Sequence, residues 1–231
     1  GMTFNANSAR DGGAIFSGAN TSGFEQEADR RANQNVMVRN SSFVSNNASA
    51  TGGAISGFHV TLNIEVSTFT GNYAYRTSSD IDVSGGAIYM DNADAYIKSS
   101  TLSGNYSQRV GVSYGGAISA INSSKVDINA LNASGNPTIL SKNGFTSNPA
   151  PASKTYYGGA IYLKNNSVLT ISNAHLIDNR AIKDGGAVSL DGSNIIIGQK
   201  VYIARNIAGA NGGAIATSKA SLLLFSKVSS S

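Results

Sequence analysis

The sequence predicts an all-β protein: a right-handed parallel β-helix, or solenoid, of about seven coils, with three short strands in each coil and loop insertions at the corners. Three observations lead to this prediction. A Gly-Gly-Ala motif recurs along the whole chain, an F-x-x-N-like motif precedes every copy, and short runs of alternating apolar and polar residues lie between them. Alternation is typical of half-buried strands, and self-similarity at a fixed period indicates stacked units.

The Gly-Gly-Ala motif is followed by Ile or Val in all seven copies, which are spaced by 40, 33, 30, 43, 27 and 27 residues. A recurring minimum of 27 predicts one structural unit that carries insertions of different sizes. Glycine allows backbone angles that a Cβ forbids and lets a neighbouring chain approach closely, so each pair is predicted to form a corner that stacks on the next. The pairs are Gly12 and Gly13, Gly52 and Gly53, Gly85 and Gly86, Gly115 and Gly116, Gly158 and Gly159, Gly185 and Gly186, and Gly212 and Gly213.

The F-x-x-N motif predicts a second corner. Three copies begin with Phe, and four relaxed copies begin with Leu, Ala or Ile. An asparagine at a stacked corner can bond local backbone groups and the asparagines above and below it. The predicted column is Asn7, Asn46, Asn72, Asn105, Asn136, Asn179 and Asn206.

Two apolar columns precede the F-x-x-N motif at constant offsets and predict the inward positions of a strand. Seven residues before it stand Val36, Leu62, Ala95, Val126, Leu169 and Ile196, and five before it stand Val38, Ile64, Ile97, Ile128, Ile171 and Gly198. With one coil per unit, seven coils give a rod of roughly 30 Å. Right-handedness is expected because nearly all parallel crossovers have that hand.

Composition excludes several classes of protein. Only 13% of the residues are charged, and the net charge of +4 is spread without a basic stripe, which argues against nucleic-acid binding. There is no cysteine, no run of apolar residues long enough for a membrane-spanning helix, and no motif for a cofactor or metal. We expect residues 1–231 to form a single β-helix domain that is a fragment of a longer chain.

At the repeated GGA(I/V) and F-x-x-N motifs the chain resembles the passenger region of the chlamydial polymorphic membrane proteins. The resemblance implies a surface-displayed autotransporter adhesin, secreted with a signal peptide and held in the outer membrane by a C-terminal barrel. It also implies attachment to a host-cell protein or glycan as the partner. Passengers of this family usually contain cysteines, whereas this chain has none.

Insertions predict where a partner binds, because function on a regular scaffold is found in its irregular loops. From the corner asparagine to the next glycine pair the chain takes 5 or 6 residues in four units, but 13, 10 and 22 residues after Asn72, Asn105 and Asn136. The three long segments, 73–84, 106–114 and 137–157, contain the tyrosines and arginines that are enriched at interfaces. The predicted partner-binding residues are Tyr73, Tyr75, Arg76, Tyr106, Arg109, Tyr114, Tyr156 and Tyr157. The alternative is that these tyrosines only cover the corner.

Two other functions stay open from the sequence. The rod could serve as a spacer or a self-associating surface protein, since terminal strands of a solenoid present unpaired edges. A polysaccharide-active enzyme is disfavoured, because no column of carboxylates runs along the coils. The two histidines, His59 and His175, lie in different coils, and the spacing suggests no Ser or Cys partner for either. The pairs Asp80 with Asp82 and Asp91 with Asp94 could bind calcium, but turn aspartates are commonly structural. We therefore predict no enzymatic activity.

Overall fold

A computed structural model of the chain describes residues 1–18, 34–77, 82–109, 112–129, 136–144, 157–219 and 223–225. Every regular element within these residues is a β-strand, and the strands pair in parallel. Three sheets of seven strands each run along the molecule. Seven coils of three strands are therefore stacked in register, and the prediction of a parallel β-helix is confirmed.

The strands that follow Gly-Gly-Ala form sheet 1: β3 (Ile15–Gly18), β7 (Ile55–Phe58), β12 (Ile88–Asp91), β17 (Ile118–Ile121), β20 (Ile161–Lys164), β24 (Val188–Asp191) and β28 (Ile215–Ser218). The next strand of each coil lies in sheet 2: β4 (Asn35–Arg39), β8 (Thr61–Glu65), β13 (Asp94–Lys98), β18 (Lys125–Asn129), β21 (Val168–Ser172), β25 (Asn194–Ile197) and β29 (Leu223–Phe225). The strands leading into F-x-x-N form sheet 3: β1 (Thr3–Asn5), β5 (Ser42–Val44), β9 (Thr68–Thr70), β14 (Thr101–Ser103), β19 (Thr138–Ser141), β22 (Ala174–Ile177) and β26 (Val201–Ala204).

Each coil returns from the asparagine corner to the glycine corner along a fourth, less regular side. Six short strands of this side form one sheet: β2 (Ser8–Asp11), β6 (Asn47–Thr51), β10 (Tyr73–Arg76), β11 (Val83–Ser84), β15 (Tyr106–Arg109) and β16 (Ser113–Tyr114). Two more, β23 (Arg180–Ala181) and β27 (Ile207–Ala208), pair with each other. This side was not predicted as a sheet, because its segments lack regular alternation and differ in length.

The interior is built from columns of like residues. In sheet 1 a column of isoleucines and a valine points inward, and in sheet 3 Phe43 and Phe69 stack with their ring centroids 4.6 Å apart. These phenylalanines and the central isoleucines are fully buried. The hydrophobic effect therefore acts along the whole axis, and each coil buries its apolar face against its neighbours.

One register of sheet 2 differs from the prediction. The inward positions of β25 are Ile195 and Ile197, which pair with Leu169 and Ile171, and not Ile196 and Gly198. The reason is an extra residue in the following turn: Ile203 is six residues after Ile197, whereas the equivalent residue of the preceding coil comes five after Ile171. A single inserted residue reverses the inward and outward faces of a strand.

The glycine pair needs both of its glycines, for different reasons. Gly158 has a φ of +64°, where a side chain is strained, and a Cβ there would overlap the carbonyl of Ile161. Gly159 has no such angle, but a Cβ on it would overlap the carbonyl oxygen of Gly186 in the next coil. The corresponding glycines of the other central coils have the same surroundings.

The alanine after the glycines also points inward, which strict alternation would forbid. In the second coil, the N–H groups of Ala54 and Ile55 both donate to the carbonyl of Ala87, each at 2.9 Å. This shared acceptor marks a local kink, so Ala54 and Ile55 are both fully buried. A larger side chain than Ala at this corner would have to displace the core.

The asparagine corner is a continuous hydrogen-bonded ladder. Asn72 Oδ1 accepts from the backbone N–H and from Nδ2 of Asn46, at 3.0 and 2.9 Å. Asn72 Nδ2 donates to the carbonyl of Phe43 and to Oδ1 of Asn105, both at 3.0 Å. Each buried amide in the ladder thus uses both donors and accepts twice, as complete burial requires. The ladder runs through Asn7, Asn46, Asn72, Asn105, Asn143, Asn179 and Asn206.

The prediction of Asn136 as the fifth member was wrong, since Asn143 occupies that position. Asn143 follows Leu140, which lies in register with Leu102 and Leu176 in sheet 3. Asn136 is exposed and lies before β19. The corner requires a buried apolar residue three positions before the asparagine, and Leu140 fills the interior as Ala133 could not.

Serines form two further ladders that the sequence did not reveal. Between sheets 2 and 3 the N–H of Ser67 donates to Ser100 Oγ at 3.1 Å. Between sheets 1 and 2 the N–H of Ser124 donates to Ser167 Oγ at 3.2 Å, and Ser167 N–H donates to Ser193 Oγ. Serine is frequent throughout the chain, so these columns could be identified only from the stacking. They satisfy backbone donors that the turns leave without a strand partner.

The Phe69→Leu variant is expected to lose about 1–2 kcal/mol of unfolding free energy, because leucine fills most of the volume but ends the ring stacking with Phe43. Leu102 already occupies the next position of the same column. The measurement is the midpoint of urea unfolding, with Phe16→Leu, at a ring that is 58% exposed, as the control. Equal losses in the two variants would contradict the assigned interior column.

Candidate functional site

The insertions of three consecutive coils leave the rod on the fourth side. After the correction at Asn143, the chain takes 13, 10 and 15 residues from the ladder asparagine to the next glycine pair in these coils. In the first two, the strand of the fourth side is split: β10 and β15 pair with each other before the insertion, and β11 and β16 pair after it. The inserted segments therefore begin and end at equivalent places in neighbouring coils.

Two of the predicted residues stack at the start of the insertions. Tyr73 and Tyr106 are partners in adjacent strands, and their rings are parallel with centroids 5.2 Å apart. Burial raises the pKa of the Tyr106 phenol. Tyr75, on the same strand as Tyr73, is 39% exposed, and Arg76 beside it is half-buried. These side chains give this side a partly exposed aromatic surface with a cationic neighbour.

Two other predicted residues meet where the insertions return. The rings of Tyr114 and Tyr157 stack 5.7 Å apart. Both lie against Tyr162 of sheet 1, at 4.5 and 6.3 Å. Lys183 extends this group, since its ammonium lies 5.3 Å from the Tyr157 ring centroid and donates to the Tyr157 hydroxyl at 2.9 Å. Tyr162 was not predicted, because within IYLK it looks like an ordinary outward residue of a strand.

The predicted segment 137–157 was too long at its start. Residues Thr138–Ser141 form β19 in the middle of sheet 3, and Asn143 continues the ladder, so only residues from Gly144 onward belong to the insertion. Tyr156 lies outside the described residues, as does the side chain of Arg109, whose backbone is in β15.

A cleft opens beside the Tyr114, Tyr157 and Tyr162 cluster, between the outer surface of sheet 1 and the fourth side. Its volume is 550 Å³, within the range of sites for small ligands. Outward positions of β20, β24 and β28 form the floor, where Tyr162 is followed by the small residues Ser189 and Ala216. Asp184 and Asn211 line the opposite wall. A large residue followed by two small ones leaves the space next to the Tyr162 ring.

Buried phenols characterise the outer surface of sheet 1. Tyr162 and Tyr89 are 4% and 7% exposed. Burial, followed by the nearby carboxylates of Asp191 and Asp91, raises the pKa of both phenols well above their ordinary value. The Tyr162 hydroxyl therefore remains a hydrogen-bond donor at any physiological pH, and it lies 3.5 Å from Asp191 Oδ2.

These phenols predict a loss of stability in alkali. The pKa of these phenols is higher in the folded chain than in the unfolded chain, where it is about 10. Their protonation therefore contributes fully to the stability of the fold below about pH 10, and this contribution is lost as the pH rises above that value. We expect the urea midpoint to fall as the pH is raised beyond about 10. We also expect a shallower fall in the Tyr162→Phe variant. Parallel curves for the two proteins would contradict the assigned burial of Tyr162.

Three of the four carboxylates considered for calcium lie in the described part of the chain. Asp91, at the end of β12, accepts from Asn122 Nδ2 at 2.8 Å, and Asp94 begins β13 around the corner. Asp80 lies outside the described residues. Across the described ranges, no group of three or more His, Asp or Glu side chains is placed to hold a metal ion.

The two histidines lie apart on different faces. His59 Nδ1 is 3.1 Å from Asn92 Nδ2 at the corner of sheets 1 and 2, and the His175 ring lies 5.7 Å from the Tyr202 ring on sheet 3.

In the part of the chain that the structure covers, no helix is long and apolar enough to cross a membrane.

Comparison with known families identifies two of the repeats. The profile of the Chlamydia polymorphic membrane protein repeat matches residues 1–18 and 66–91. Each matched stretch contains one F-x-x-N motif and the next Gly-Gly-Ala motif, which are the asparagine and glycine corners described above. No curated protein and no solved structure matches the chain. The resemblance drawn from the two motifs is confirmed.

Proposed function

Because the chain carries repeats of the Chlamydia polymorphic membrane protein family, we propose that it is part of the passenger of a surface-displayed autotransporter and attaches the bacterium to a host cell. The family is one of outer-membrane or surface proteins. The contact surface in this proposal is the insertion face, defined as Tyr73, Tyr75, Arg76, Tyr106, Arg109, Tyr114, Tyr156 and Tyr157 with the inserted segments between them.

One observation carries the proposal: three consecutive coils carry their insertions on one side, and the tyrosines at the ends of these insertions stack from coil to coil. Apart from the connections between β3 and β4 and between β18 and β19, the described strands of sheets 1 to 3 are joined by short turns. Stacked tyrosines offer a large, rigid contact area with polar tips, which suits protein and glycan surfaces alike. An irregular face on a regular rod is where selectivity for a partner would arise.

The chain contains its own template for removing this face. The second coil goes from Asn46 to Gly52 through the five residues Asn47–Thr51 without an insertion. A triple short-arc variant replaces residues 73–84, 106–114 and 144–157 by that five-residue sequence and keeps both corners of each coil. Beads coated with this variant are expected to attach to cultured mammalian cells at least about tenfold less than beads with the original chain.

The matched control is Tyr202→Ala, which removes a 52% exposed ring from sheet 3, away from the insertion face. Circular dichroism and melting curves establish that each variant is folded. Unchanged attachment by the folded triple variant would overturn the proposed attachment surface and favour a role as spacer.

A further inference from the structure

The cleft beside Tyr162 has walls of two kinds. At one end stand the half-buried rings of Tyr114 and Tyr157, which stack 5.7 Å apart and pack against the buried ring of Tyr162. Beyond them the floor consists of Ser189 and Ala216, and the rim is polar. An aromatic end wall beside a floor of small residues accommodates a flat, rigid ring better than an extended chain of large side chains.

The charges in the cleft balance. Two lysines and two aspartates line it: Lys164, Lys219, Asp184 and Asp191. Asp191 is held by Lys219 at 3.0 Å, and Asp184 accepts from Asn211 Nδ2 at 2.8 Å on the opposite wall. Because the positive and negative groups are already interspersed, a ligand with a strong net charge of either sign would meet repulsion here.

Asp191 already accepts at both oxygens, from Lys219, Ser218 and Tyr162. Asp184 accepts twice from Asn211, but at Oδ1 only, so its second oxygen is presented to the cleft at a defined position. Carboxylates accept strong hydrogen bonds from hydroxyl groups. Ser189 and Ser218 add hydroxyls that can donate or accept, and the Tyr162 hydroxyl stays protonated. The cleft therefore combines many polar groups of both kinds in a small volume.

A peptide strand is a poor fit for the same cleft. Peptides commonly bind a sheet by adding a strand to its free edge. Of the three floor strands, β20 and β24 are each paired on both sides within sheet 1, and only β28, which ends the sheet, has a free edge. Leu190, Ala216 and the tyrosine rings also give too little apolar lining for the hydrophobic anchors that an extended peptide needs.

We infer that the cleft binds a short uncharged oligosaccharide. The C–H face of a sugar ring packs on the rings of Tyr114 and Tyr157, and its hydroxyls bond Asp184 and the serines. This inference names the ligand class for one part of the insertion face and to that extent rests on the attachment function. Its test, however, uses only the purified chain and sugars.

The experiment is binding of the purified chain to an array of uncharged oligosaccharides printed beside sialylated and sulfated ones. The best-bound sugar is then titrated in solution by tyrosine fluorescence, which can be read directly because the chain has no tryptophan. Asp184→Asn, which keeps the side-chain shape, and Tyr157→Ala are each expected to weaken that binding by about tenfold or more. Tyr202→Ala, on sheet 3, is expected to leave it unchanged.

Three results would overturn the inference: no binding to any uncharged sugar, binding to acidic sugars only, or equal affinity in the cleft variants and the original chain. If the chain binds no uncharged sugar but the triple short-arc variant still loses cell attachment, the saccharide inference is wrong and the attachment function stands. If the cleft variants lose sugar binding but the short arcs do not affect attachment, the attachment function is wrong and the saccharide site stands.

Discussion

Replacing Gly158 and Gly159 together with valine is expected to lower the unfolding free energy by about 5 kcal/mol or more, which is exceptional for so small a change. At Gly158 the valine would have to adopt a φ of +64°, and at Gly159 its Cβ would overlap the next coil's backbone. The neighbouring coil cannot withdraw, because it is bonded to this one through Gly159 N–H and the Gly185 carbonyl at 3.0 Å.

The measurement is thermal unfolding followed by circular dichroism. For a chain of this length, 5 kcal/mol corresponds to a fall in Tm of roughly 10–20 °C. The matched control is Gly192→Asn. Gly192 also has a positive φ, +61°, but a Cβ there would come no nearer than 3.6 Å to any neighbouring atom. Asn166, which bonds to Gly192 from the preceding coil, already adopts a φ of +59°.

The control is expected to change the unfolding free energy by less than about 1 kcal/mol, because asparagine tolerates the left-handed region. If the double valine variant melted like the control, the glycine corner would not be the stacked bend described here.

Asn143→Ala is expected to cost about 3–5 kcal/mol. The substitution removes an acceptor for Asn105 N–H and Nδ2, at 3.1 and 3.0 Å, and a donor to the carbonyl of Leu102 at 2.9 Å. All of these groups are buried, and each buried group left without a partner costs about 1–3 kcal/mol. The adjoining Asn179 also loses a donor to its Oδ1.

Asn136→Ala is the matched control, because the sequence pattern assigned Asn136 to this ladder and the structure places it at the surface. Its expected effect is below about 0.5 kcal/mol. Urea unfolding of the two variants distinguishes the two assignments. A larger loss in Asn136→Ala than in Asn143→Ala would restore the alignment taken from the sequence and contradict the ladder.

Much of the fold was predictable because the same physical requirement recurs in each coil. Gly159 must be glycine for the same reason as Gly186: each lies beneath the next coil's carbonyl. Because the requirement recurs at the same position of each coil, the same residue type recurs in the sequence. The minimum spacing of 27 residues is then enough to align the units. Where the coil length is constant, this alignment is correct to the residue.

Errors arose where the coil length changes. In the last unit the inward residue was predicted as Ile196, whereas it is Ile195. The position had been counted back from Ile203, and the turn between this strand and Ile203 contains one extra residue. In the fifth coil two asparagines, Asn136 and Asn143, both follow an apolar residue at the right distance. Only packing decides between Ala133 and Leu140, because the interior needs the larger side chain.

The candidate site was less predictable than the fold. Segments of unusual length identified the insertion face, and the tyrosines there could be named because they interrupt the repeat. Tyr162 could not, because it obeys the repeat: it stands at the same outward position as Ser119 and Ser189. The cleft results from the alternation of large and small residues at that position across coils, which becomes visible only after the coils are stacked.

The central claim is that sequence repeats correspond to coils stacked along one axis. The most direct test uses pairs of spin labels on cysteines introduced along one outward column of sheet 2, since the chain has no cysteine of its own. Met37, Thr170 and Ile196 lie in that column, with Thr170 four coils and Ile196 five coils from Met37.

At about 4.8 Å per coil the backbone separations are about 19 Å for Met37 with Thr170 and about 24 Å for Met37 with Ile196. Pulsed electron–electron double resonance is expected to give two narrow distance distributions whose centres differ by about 5 Å. Distances that do not increase from the first pair to the second, or that spread broadly, would contradict a stacked rod.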